Sequence, residues 1–271
     1  MHRIMLACAT RDITQAKRFG LPVAQIAYQI ARDGTLHRAD IADEKNGDVL
    51  FLTADEEINA HQSKMEHLSR IIVEECKRQN FSALVFAVFK SHPIFHQLAA
   101  LLSVQLKPCG IRLYLPEVYA GSSAWAQIIV PTAIWVGSLE ENLKRAVAIY
   151  GKERICLDIE RLRLDFSLRN QGERGEKCTA QSLYEKRRKY QPNSYFSQDL
   201  QAYYFSYENE EGTHFVLYDD TYSICEKLSL AEKLGITEAM ILYPEVEDIL
   251  PGIITKLSGL MRQNGRGNQI N

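Results

Sequence analysis

Short apolar runs recur along the chain, and polar stretches with helical spacing separate most of them. The runs are 3–9 (RIMLACA), 23–30 (VAQIAYQI), 48–53 (DVLFLT), 83–89 (ALVFAVF), 111–118 (IRLYLPEV), 127–136 (QIIVPTAIWV), 154–160 (RICLDIE) and 238–244 (EAMILYP). They are rich in Val, Ile, Leu and Tyr and are apolar at successive rather than alternate positions. That pattern predicts strands covered on both faces, as in a parallel sheet.

Between the runs the period changes. Residues 58–79 place Met65, Leu68, Ile72 and Cys76 on one stripe, which predicts an amphipathic helix. Pro93 opens a helical stretch over 92–110 that stops at Pro108 and Gly110, following the preference for Pro at the start of a helix and Gly past its end. In 138–151 Ser138 is placed to cap, Glu140 and Glu141 stand in the first turn, and Gly151 is the stop. Residues 219–235 and 247–263 have similar patterns. Eight strands interleaved with helices over this length predict a (β/α)₈ TIM barrel in the α/β class, with the whole of 1–271 as one barrel domain. A doubly wound open sheet is the rival, disfavoured because no GxGxxG follows the first strand.

One segment departs from the alternation. Residues 201–218, QAYYFSYENEEGTHFVLY, read as two strands around a polar turn, and the stretch before them is polar with Gly172 and Gly175. Together they predict a small α+β insertion over about 161–236, ahead of the last barrel strand. The basic cluster Lys186 to Lys189 is expected on a solvated helix face, and the tail RQNGRGNQIN is expected to fray.

Composition narrows the function. Hydrophobic residues make up 46% of the chain, enough to exclude disorder as its main state. With 34 acidic and 32 basic side chains the formal charge is −2, which argues against a nucleic-acid partner bound through a basic field. No apolar run reaches the roughly 18 residues of a membrane helix, and no signal peptide is seen at the first residues. The expectation is a cytoplasmic protein with no membrane partner. The six cysteines are scattered without CxxC or Cys/His spacing, so buried free thiols are expected and no metal or cofactor is. His92 and His96, four apart, lack the supporting pattern of a metal site.

In a barrel the chemistry belongs at the C-terminal ends of the strands. Glu117, Trp135, Asp158, Glu160, Tyr243 and Glu245 stand there, with Asp219 after the predicted hairpin. Carboxylates and aromatic faces on one rim suit a sugar. Trp135, Glu117, Asp158, Asp219 and Tyr243 are the expected ligand-binding set. Any catalytic pair would come from Glu117, Asp158, Glu160 and Glu245. Asp219 and Asp220 precede a helix, one expected as its cap and the other facing the cleft.

The segment 214–246 carries an aromatic, an acid pair, a Ser-Ile, a Lys, a Gly turn and a final strand: Tyr218, Asp219, Asp220, Ser223, Ile224, Lys227, Gly235 and 239–243. In this it resembles glycoside hydrolase family 18, the bacterial spore-cortex and peptidoglycan-directed members above all. The second strand, followed by Asp33 and Gly34, is similar to that family too. The resemblance implies a chitinase-like barrel acting on an N-acetylated glycan, with a general-acid Glu closing a DxxDxDxE motif on the fourth strand. Here that run is NFSALVFAVFKSHP, with no carboxylate; Phe89 or Lys90 falls at the Glu and Ala87 near the assisting Asp. The sixth strand has Trp135 but no acid, and Tyr243 stands for the Trp of the last strand. The expectation is an inactive homologue, a glycan-binding or protein-interaction barrel, with Phe89 and Lys90 at the mouth and Lys90 paired to Glu117 or Asp158. A hydrolase with relocated carboxylates and a structural or assembly protein are the alternatives.

Overall fold

The computed structural model describes residues 3–39, 47–55, 57–169 and 175–257. Eight parallel strands form its centre: β1 (Arg3–Ala9), β2 (Val23–Ile30), β3 (Val49–Ala54), β4 (Ala83–Phe86), β5 (Arg112–Pro116), β6 (Gln127–Pro131), β7 (Ile155–Ile159) and β8 (Glu238–Leu242). Each pairs with the next, and β8 returns to β1 through Arg3↔Glu238 to Ala7↔Leu242. The sheet therefore closes into a (β/α)₈ barrel. A short antiparallel strand, Leu36–Arg38, extends it beside β2.

The continuous apolar runs follow from burial on both sides of each strand. Met5, Phe51, Val85, Tyr114, Cys156 and Met240 fill the interior. Their neighbours Leu6, Leu50, Leu84, Leu113, Leu157 and Ile241 belong to the larger outer core under the helices. Successive side chains point to opposite faces, so every strand needs apolar residues in both parities. At the N-terminal end Glu238 receives Arg112 at 2.9 and 2.6 Å and the Tyr114 hydroxyl at 2.6 Å, with Arg3 at 3.4 Å. This closes the bottom with a paired, hydrogen-bonded carboxylate.

The helices are α1 (Ile13–Lys17), α2 (Lys64–Arg78), α3 (Pro93–Leu106), α4 (Leu139–Tyr150), α5 (Ala180–Tyr190), α6 (Thr221–Lys233) and α7 (Tyr243–Val246), with a further helix from 250 described to 257. Local chemistry sets their ends. Ser138 caps α4, and Gly151, at φ 82°, stops it. Between β5 and β6 the chain makes only a 3₁₀ turn, Glu117–Ser122. The predicted continuation of the last helix to 263, the tail and Gly172 lie outside the described residues.

A second sheet stands between β7 and β8, with strands in the order Glu176–Lys177, Arg163–Ser167, Gly212–Tyr218, Ala202–Asn209 and Tyr195–Ser197, all antiparallel. The hairpin read from 201–218 is its 202–209 and 212–218 pair. One face carries α5, through Leu183, Phe205, Val216 and Tyr218. The other packs through Leu164, Ala202 and Leu217 on Ala133 and Leu162, in the loops above β6 and β7. α6 belongs to the barrel instead: Ile224 and Leu228 enter the outer core. The extra sheet with its helix thus occupies 163–218.

Candidate functional site

The barrel mouth lies under the second sheet. On β7 the interior-facing residues are Cys156 and then Asp158, whose main-chain carbonyl accepts from Thr132 N at 3.0 Å and Thr132 Oγ1 at 2.9 Å. The Asp158 backbone is therefore fixed to the β6 exit. Its carboxyl receives no hydrogen bond from any described residue. Burial raises its pKa from the ordinary carboxylate value to about 7, and the nearby charges of Glu160 and Glu245 push the same way. Asp158 thus changes charge near neutrality, the condition for a proton donor or acceptor at that pH.

Glu160 and Glu245 are held beside it. Lys177, on the edge strand of the second sheet, bonds Glu160 at 2.6 Å and approaches Glu245 at 3.8 Å. Arg161 donates its main-chain N–H to Glu245 Oε2 at 3.2 Å and its guanidinium to Asp248 at 2.6 Å. These two cations tie the entry and the edge strand of the second sheet to α7 and to Asp248 just after it. Three of the four predicted carboxylates, Asp158, Glu160 and Glu245, are thereby grouped, and Asp158 alone of them is without an internal partner among the described residues.

Glu117 goes elsewhere. It starts the 3₁₀ turn after β5 and faces Tyr150 and Arg145 of α4; partial burial raises its pKa, and those two groups oppose the rise. It is not among the charges that act on Asp158.

Asp219 is a correction. Its side chain is fully buried, binds Lys227 Nζ at 2.6 Å, and accepts from Leu162 N at 2.9 Å and Ser223 Oγ at 2.8 Å. A carboxylate so satisfied has no room for a ligand. Asp220 is the cap expected of the pair: its side chain accepts from Ser223 N at 2.9 Å, and Ser223 Oγ accepts from Asp220 N at 2.9 Å. Tyr243 is a second correction. Met240 and Leu242 face inward on β8, so parity turns Tyr243 outward, where it is buried, lies 6.2 Å from Phe19, and donates to Glu247 at 3.1 Å.

On β4, Ala83, Val85 and Ala87 are the interior series. The strand ends at Phe86, and Phe89 and Lys90 are exposed. Lys90 makes no ion pair with Glu117 or Asp158; its carbonyl accepts from the Tyr119 hydroxyl instead. Trp135, in the loop after β6, is 38% exposed. Above that loop an aromatic row crosses the second sheet on the face toward the barrel: Tyr195 and Tyr204 with centroids 5.7 Å apart, then Tyr204 and Phe215 stacked at 4.9 Å. Leu139 N, bonded to Asp199 O at 2.8 Å, anchors this sheet to the start of α4. The sequence reading omitted this row, Arg161 and Lys177. The alternation in 202–208 signalled which residues share a face, but not which face meets the barrel.

The barrel architecture recurs in solved structures. The fold is that of the family 18 chitinases. The spore cortex-lytic enzyme SleL of Bacillus cereus superposes with a TM-score of 0.65 at 16% identity, covering 89% of this chain and 70% of that one. The class V chitinase of Pseudomonas fluorescens gives 0.65 at 13% identity, over 89% and 94%. The family 18 chitinase of Cycas revoluta, solved with a tetramer of N-acetylglucosamine, gives 0.62 at 10% identity, over 94% and 99%. At these identities the likeness is one of fold. No family model and no curated protein sequence matches the chain. In this chain the exit of β7 carries the Asp158 carboxyl, and the interior positions of β4 are apolar.

Proposed function

We propose that this protein is a chitinase-like barrel that binds a glycan without hydrolysing it by the family 18 mechanism. The observation that carries the reading is the interior face of β4, where Val85 and Ala87 lead to an exposed Phe89. No carboxyl stands on that series to protonate a leaving group, a contribution typically worth about 10²–10⁴ in rate. Trp135, Tyr195 and Tyr204 supply flat apolar faces for sugar rings, and Asp158 supplies a hydrogen-bonding group at the mouth. Calorimetric titration with the N-acetylglucosamine tetramer tests it: binding is expected, and Trp135→Ala is expected to weaken it about tenfold. Binding untouched by Trp135→Ala and by Asp158→Asn would remove the mouth from the account.

A second reading is favoured by one specific feature. Asp158, with a pKa of about 7, lies within the charge field of Glu160 and Glu245. A carboxyl protonated near neutrality beside an ionised one is the electrostatic arrangement glycosidases use. Under this reading Asp158 is a relocated acid, and Asp158→Asn abolishes a hydrolysis that the intact protein performs.

A further inference from the structure

The carboxyl of Asp158 stands in the barrel mouth without a counterpart. Its neighbours in register are Pro131 on β6 and Met240 on β8. Residues in register on adjacent parallel strands point to the same side of the sheet, and neither of these side chains can donate a hydrogen bond. Cys156 precedes it on the same face of β7, and Ile26, Ala87 and Leu242 are the partly buried residues packed on the interior core. The barrel wall around Asp158 is therefore apolar.

The charges that do reach it are negative. Glu160 and Glu245 both act on Asp158, and no cation of the described residues offsets them. The two cations nearby are spent elsewhere. Lys177 bonds Glu160 at 2.6 Å. Arg161 bonds Asp248 at 2.6 Å and the carbonyl oxygens of Glu245 and Asp219 at 3.1 and 3.2 Å. Lys90 is exposed and makes no ion pair with Asp158. Asp158 is half-buried, and neither of its carboxyl oxygens is sealed from solvent, so a ligand in the mouth reaches it directly. A partly desolvated carboxylate among like charges is costly, and a cation brought by the ligand offsets that cost.

We propose that the barrel mouth selects amino sugars whose amino group is free, binding a de-N-acetylated residue of a glycan through an ion pair between its ammonium and Asp158. An ammonium brings three donors and a positive charge to a group that lacks both. An N-acetyl group on the same carbon brings one N–H and no charge, and a hydroxyl brings one O–H and no charge. Either can hydrogen-bond to Asp158, but neither relieves the field of Glu160 and Glu245. A sugar carrying a carboxylate would add to that field and is disfavoured. The choice of a sugar rests on the glycan reading above; the requirement for a cation rests on the surroundings of Asp158.

The test is calorimetric titration of the intact protein at neutral pH with the glucosamine tetramer, the N-acetylglucosamine tetramer and cellotetraose. The glucosamine tetramer is expected to bind about ten- to a hundredfold more tightly than the N-acetylated one, the range of one hydrogen bond to a charged group. In Asp158→Asn that preference is expected to shrink to less than about threefold, because Asn keeps a hydrogen-bonding group without the charge. This variant removes a costly charge and is expected to fold. A second readout is the ¹³Cγ signal of Asp158, assigned by its loss in Asp158→Asn. At about pH 6 the free protein holds the proton on this group; the glucosamine tetramer is expected to move the signal toward its ionised position, and the N-acetylated one is not. A glucosamine tetramer that binds no more tightly than the N-acetylated one, with Trp135→Ala still weakening both, overturns this proposal and leaves the glycan reading standing. A preference that survives Asp158→Asn also overturns it, since the attraction then belongs to the wider negative charge of the protein. Binding of the glucosamine tetramer alone, lost in Asp158→Asn, retains the ammonium site and counts against a neutral glycan as ligand. No binding of any tetramer overturns both.

Discussion

Replacing Asp158 by Asn isolates the energetic cost of a half-buried carboxyl in the barrel mouth. In the unfolded chain this group ionises near the ordinary aspartate value, whereas in the fold its pKa is raised to about 7. Between those values the native state holds one proton that the unfolded state has lost. Stability must therefore fall as pH rises from about 4 to about 7 and level off above. Each pKa step of one is worth about 1.4 kcal/mol, and the displacement is about three such steps, so ionised Asp158 costs the fold on the order of 4 kcal/mol at pH 8. Asn carries no charge at either pH. Urea unfolding of the two proteins should give similar stabilities at pH 4 and a difference of about 4 kcal/mol in favour of Asp158→Asn at pH 8. Every other titrating group is present in both, so the difference curve belongs to Asp158 and its coupling to Glu160 and Glu245. Parallel stability curves across that range would refute the placement of Asp158 as a desolvated, unpartnered carboxyl.

Other outcomes follow from the same contacts. Lys227→Met leaves Asp219 buried without its counter-charge and should cost about 3–5 kcal/mol in chemical denaturation; adding Asp219→Asn, which removes the stranded charge and keeps an acceptor for Leu162 N–H, should recover most of it. Asp220→Ala removes the cap of α6 and should cost about 0.5–2 kcal/mol in thermal unfolding, with no change in glycan affinity. Cys8, with a pKa pushed up to about 12 by burial, and Cys156, raised for the same reason, should resist a thiol reagent in the native protein and react once it is unfolded.

The barrel was legible because its cause is local. A strand covered on both faces must be apolar at successive positions, and the runs around Leu6, Leu50, Leu113 and Leu157 display that requirement directly. Helix ends were legible for the same reason at Ser138, Gly151 and Pro93, and at the pair Asp219 and Asp220, although not which of the two would cap. What was not legible depends on parity and on long-range register. Tyr243 and Leu242 are equally apolar in sequence, and only the alternation set by Met240 decides that Leu242 faces inward and Tyr243 outward. Asp219 resembles a rim acid until Lys227, two turns along α6, is seen to reach it. Glu117 follows a strand end like the other rim acids, but it opens the short 3₁₀ turn into β6 and faces Tyr150 and Arg145 of α4. Asp165 and His214 are 49 residues apart and meet through a strand pairing that neither strand's composition encodes.

The most direct test of the central claim is a single nuclear magnetic resonance sample of the protein with the N-acetylglucosamine tetramer, followed over a day at neutral pH. Saturation transfer from protein to the sugar acetyl protons reports binding, and new reducing-end anomeric signals report cleavage. The account predicts transfer, weakened by Trp135→Ala, with no growth of anomeric signals above a protein-free control. Growth of those signals, abolished by Asp158→Asn, would contradict it and establish hydrolysis with a relocated acid.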